Sequence, residues 1–115
     1  MGLTREGFER LVAEALDSLP EWVLERIDNV EVIVEERPPP DRKDLLGLYE
    51  GIPLTQRGSG YTNVLPDRIS LYRSTIESQG GTPTGIRYVV RQTVIHEVAH
   101  HFGISDERLD ELGRD

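Results

Sequence analysis

Residues 86–106 read IRYVVRQTVIHEVAHHFGISD. Ile86, Val90, Val94, Val98 and Phe102 recur every four residues, and Val89, Ile95 and Ala99 widen the stripe. This is the period of a helix with one buried face, so a helix of about four turns is expected over Ile86–Phe102. Gly103 is placed to stop it, because only glycine adopts a left-handed backbone cheaply. A last short helix is expected over Ser105–Leu112, and Gln79–Gly85 is a break ahead of the long one.

The chain's 3 histidines all fall in this stretch, within His96-Glu97-Val98-Ala99-His100-His101. His96 and His100 are four residues apart. Four residues turn a helix through about 400°, so both imidazoles leave nearly the same face, one turn apart. Two ring nitrogens at that spacing can meet one metal ion. Glu97 is rotated by about 100° from His96. Its carboxylate can reach a metal-activated water without being a ligand. His101 lies about 140° around from His96 and cannot join the same ion. It is expected to bond backbone or solvent, or to orient a neighbour.

A catalytic zinc takes three protein ligands and keeps one position open. Gly103 lets the chain bend back beneath the helix end, and Asp106 then arrives with a carboxylate oxygen. Asp106 is the expected third ligand; Glu107, Asp110 and a water are the substitutes. Zinc follows from the ligand types, one ion per chain, although such a His/His/Asp set also accepts cobalt, nickel or copper.

Outward from this helix the pattern is simpler. Thr4 can cap a first helix in which Phe8, Leu11, Val12, Ala15, Leu16 and Leu19 form one apolar stripe. Pro20 ends it and opens a short turn through Trp22 and Ile27. Val30–Glu35 alternates as a strand with Val30, Val32 and Val34 on one face, and Arg37-Pro-Pro-Pro40 stops it. Leu45–Ile52 is expected as a second strand, with Gly47 and Gly51 as weak points. Thr55–Asn63 is a polar loop, and Arg68–Tyr72 a third strand. The expected fold class is α+β, with a small three-stranded mixed sheet against an N-terminal helix and the long histidine-bearing helix.

The 115 residues make one domain, 1–115, with a single core. Thirteen basic against 21 acidic residues give a formal charge of −8. That opposes a general nucleic-acid binder and adhesion to anionic lipid, both of which need a basic face. With no Cys, disulfides, thiolate metal sites and cysteine nucleophiles are excluded. The N-terminal stretch lacks a signal-peptide pattern, and no stretch reaches membrane-span length. A cytoplasmic monomer is therefore expected, with no membrane and no nucleic-acid partner.

The motif His96-Glu97-x-x-His100-x-x-Gly103-x-x-Asp106 resembles that of zincins, with Asp where metzincins carry a third His. Its position late in a chain of this length, followed by Glu107-Arg-Leu-Asp-Glu-Leu112, is similar to the small bacterial "minimal metalloprotease" family of zincin-like proteins. Asp28-Asn-Val-Glu-Val-Ile-Val34 and Leu46-Gly-Leu-Tyr-Glu-Gly51 also resemble that family. The resemblance implies an α+β zincin core, zinc held by His96, His100 and Asp106, and Glu97 as general base. The only Met is Met1, so the metzincin Met-turn is absent.

The expected activity is zinc-dependent hydrolysis of peptide bonds in a peptide or protein substrate. Arg68–Tyr72 is the expected edge strand for an extended peptide. Tyr49, Tyr61, Tyr72 and Tyr88 are candidate donors to an oxyanion. The charge favours basic or neutral peptides. The alternatives are a non-catalytic zinc-binding protein-interaction module and another metal-dependent hydrolase.

Overall fold

The computed structural model describes residues 3–58, 60 and 65–113. In chain order these form α1 (Arg5–Asp17), α2 (Glu21–Arg26), β1 (Val30–Glu35), β2 (Gly47–Glu50), β3 (Asp67–Tyr72), α3 (Arg73–Gly80), α4 (Pro83–His101) and α5 (Asp106–Gly113). Two single 3-10 turns, Pro40–Arg42 and Leu54–Gln56, lie in the connections on either side of β2. The architecture is the expected α+β domain. Among the described residues no helix is long and apolar enough to cross a membrane.

Thr4 caps α1 as its sequence predicts, its hydroxyl accepting the Gly7 N–H at 2.9 Å. Phe8, Leu11, Val12 and Ala15 bury the stripe of α1 against α4, whose Ile86, Val89, Val90, Val94 and Val98 line the same core. Ile69 and Leu71 of β3 and Ile76 of α3 complete it.

The sheet order is β1-β3-β2, with β1 parallel and β2 antiparallel to β3. Strand β3 is therefore central. The expectation that Arg68–Tyr72 forms the edge is overturned, and the free edges are β1 and β2. The physical reason is burial on both faces: Ser70 and Tyr72 are buried along with Ile69 and Leu71, and only Arg68 is exposed. A small hydroxyl and an aromatic ring can occupy a covered face even where the alternation suggests an outer one.

Two further elements differ in their bounds, and one helix is new. Strand β2 is shorter than the expected Leu45–Ile52. Gly47 is less a weak point than a requirement: a Cβ there would lie 2.8 Å from Thr93 Cγ2 and 3.0 Å from the Ser70 carbonyl oxygen, so glycine lets β2 sit directly on α4. Helix α4 starts at Pro83, inside the expected break, because Thr82 caps it through the Gly85 N–H at 3.0 Å. Helix α3 has no counterpart in the sequence reading. It is held by fully buried Ile76, by the Arg73–Glu77 ion pair one turn apart, and by Thr75 donating to the Leu45 carbonyl at 2.6 Å.

Candidate metal centre and active site

The C-terminal half of α4 carries Thr93, His96, Glu97, His100 and His101. The helix ends as expected. Gly103 adopts φ +91°, its N–H bonds the His100 carbonyl at 2.9 Å, and the Ile104 N–H bonds the Ala99 carbonyl at 3.0 Å. This paired closure is the glycine-dependent helix stop. Ser105 then caps α5 through the Arg108 N–H at 3.1 Å, which makes Asp106 the first residue of that helix.

The reversal brings three ligand atoms into a triangle. His96 Nε2 and His100 Nε2 are 3.2 Å apart, and Asp106 Oδ1 is 3.0 Å from each. A tetrahedral ion with bonds of about 2.0–2.1 Å separates its ligand atoms by roughly 3.3 Å, so this triangle is close to the size a zinc ion requires. Among the described residues no other group of three His, Cys, Asp or Glu side chains converges in this way. Glu107 is not in the group, and the side chain of Asp110 lies outside the described residues.

The donor chemistry also fits a cation. His100 Nδ1 lies 2.8 Å from the Ile104 carbonyl oxygen, which can only accept. The ring proton is thereby held on Nδ1, leaving Nε2 with a lone pair aimed at the triangle. A nitrogen lone pair facing a second imidazole nitrogen and a carboxylate is repulsive unless a cation or a proton sits among them. Two imidazoles and one carboxylate are a zinc-type set.

Glu97 is buried at 6% exposure and lies beside β2. Burial holds its carboxyl above the ordinary carboxylate range, with His96 and His100 offsetting part of the rise, Asp106 adding to it and the backbone N–H of Tyr49 opposing it. Two open cavities flank it. One of about 410 Å³ runs past Leu45, Leu46, Tyr88, Val89 and Gln92. The other, of about 430 Å³, runs past Arg42, Leu48, Gln56 and Ser105 and contains all three ligand residues. Leu45, Gly47, His96 and Glu97 line both.

Of the four tyrosines considered, the Tyr49 hydroxyl is bound to Asp67, and Tyr72 is buried. Tyr88 is exposed on the wall of the first cavity. Tyr61 lies outside the described residues.

His101 bonds backbone, one of the roles open to it, and also a buried carboxylate. It is 1% exposed, and its Nδ1 lies 3.0 Å from Asp67 Oδ2, while the Asp28 N–H donates to its Nε2 at 3.3 Å. Asp67 belongs to a polar group with Tyr49 and Arg57, extended by Arg57 to the exposed Asp28, that the sequence did not reveal.

Residues 27–114 match the family described as zincin-like metallopeptidase. The chain belongs to that family. A solved structure similar to this zincin-like chain is a conserved hypothetical protein from Thermus thermophilus. The two are 27% identical, with a TM-score of 0.61, and the match covers 97% of this chain and 100% of that one. No curated protein matches.

Proposed function

We propose that this protein is a zinc-dependent peptidase in which His96, His100 and Asp106 hold the metal and Glu97 is the general base. The observation that carries the reading is the 3.0–3.2 Å triangle of His96, His100 and Asp106 ligand atoms beside a buried carboxylate. A zinc ion held there supplies Lewis acidity, lowering the pKa of water and polarising a scissile carbonyl.

The chain's own residues do the rest. The Glu97 carboxylate takes a proton from the attacking water and passes it to the departing amine nitrogen, so the base of the first step is the acid of the second. Burial raises its proton affinity, which suits it to this exchange. The Tyr49 N–H favours its charged form. The free edge beside the site is β2, so an extended peptide pairs there in place of the central β3. Cavities on both sides of Glu97 accept residues before and after the scissile bond.

The test is Glu97→Gln on zinc-loaded protein with a mixed peptide library. Hydrolysis should fall by about 10²–10⁴-fold while zinc content stays at the wild-type level. Wild-type cleavage by the variant would contradict the assignment.

A further inference from the structure

Asp67, the first residue of the central strand, is 3% exposed. Its Oδ2 accepts from the Tyr49 hydroxyl at 2.5 Å, Arg57 Nη2 at 2.8 Å and His101 Nδ1 at 3.0 Å, and its Oδ1 accepts from the Ile52 N–H at 3.2 Å. Gly51 makes room for this closure, since a Cβ there would lie 2.3 Å from Asp67 Cγ. One carboxylate thus collects donors from the end of α4, from β2 and from the loop after it.

Each of those segments bears on the metal centre. His101 is the neighbour of His100 on the last turn of α4, and its ring is held on both sides, by Asp67 and by the Asp28 N–H. Tyr49 presents its backbone N–H to Glu97. Arg57 anchors the loop that carries Thr55, donating also to the Ile52 and Asp28 carbonyls. Thr55 lies directly under Gly103: a Cβ on that glycine would meet Thr55 Oγ1 at 2.2 Å. The Gly103 turn in turn sets the Ile104 carbonyl against His100 and delivers Asp106.

A buried ion pair is a weak stabiliser compared with apolar packing, but its fixed directions make it a good locator. The Arg57 and Asp67 side chains are 7% and 4% exposed, so the pair is desolvated. The peptidase chemistry above uses neither of these two side chains.

We propose that Asp67 is a positioning residue of the metal centre, tying the end of α4, strand β2 and the Arg57 loop into the arrangement in which the His96, His100 and Asp106 ligand atoms converge. The proposal rests on the reading that those three residues hold zinc, and not on catalysis.

The test is zinc affinity by chelator competition, well below the unfolding temperature, with thermal unfolding of the metal-free protein in parallel. The variants are Asp67→Asn, Tyr49→Phe and, as a stability control in α1, Val12→Ala. Asp67→Asn should weaken zinc binding about tenfold or more. Tyr49→Phe, which removes one hydroxyl, should weaken it several-fold. Val12→Ala should lower the unfolding temperature and keep the wild-type affinity. Wild-type affinity in Asp67→Asn overturns the proposal, as does an equal loss in Val12→Ala; if Asp67→Asn does not fold, Tyr49→Phe decides by the same criterion. A wild-type protein that binds no zinc removes the metal-centre reading itself, together with the proposal.

Discussion

His100 Nδ1 and the Ile104 carbonyl oxygen, 2.8 Å apart, tie an imidazole of the candidate metal centre to the backbone that leaves its own helix. The contact exists because Gly103, at φ +91°, folds the chain back two residues after the helix end. The helix stop and the ligand orientation are therefore one structural device.

Gly103→Ala should break both. A left-handed backbone costs an L-residue about 1–2 kcal/mol, and the new Cβ would also collide with Thr55. The metal-free protein should lose at least that much stability in denaturant unfolding. Zinc affinity should fall with it, because the Ile104 carbonyl and Asp106 are displaced together.

Gly47→Ala tests the contact between β2 and α4. Its Cβ would press on Thr93, on the Ser70 carbonyl and, at 3.3 Å, on Glu97 Cγ. Overpacking of this kind costs about 1–3 kcal/mol. Urea unfolding should show that loss, and peptide hydrolysis should drop further than folded content does, since Glu97 is pushed from its place.

Asp67 gives the stability an acid limb. Burial alone would raise its pKa, but the hydrogen bonds from Tyr49, Ile52, His101 and Arg57 win and hold it below the ordinary aspartate value. The depressed folded-state pKa means this contribution is complete above the unfolded value of about 3.9 and is lost as pH falls through the folded pKa. Unfolding temperatures of the metal-free protein from about pH 7 down to pH 3 should therefore fall at the acid end. In Asp67→Asn that acid limb should be shallower and the neutral-pH stability lower.

The histidine-bearing helix was legible because its information is local. The step of four in Ile86–Phe102, the His96–His100 spacing and the glycine stop all lie within a few turns of one element. Helix α3 was not legible, because Ile76 is its one buried apolar residue and its other support, Leu45, is distant in the chain. The central place of β3 was hidden by Ser70 and Tyr72, which read as an outer face and are buried. The Asp67 group was hidden for a different reason. Asp28, Tyr49, Arg57, Asp67 and His101 come from five separate segments, and no spacing links them.

The most direct test is the zinc content of the wild-type protein, purified without chelator or added metal, beside His96→Ala and Asp106→Ala. The prediction is about one zinc per chain in the wild type and a loss in both variants. A wild-type protein that holds no zinc even after incubation with the metal and dialysis would contradict the account.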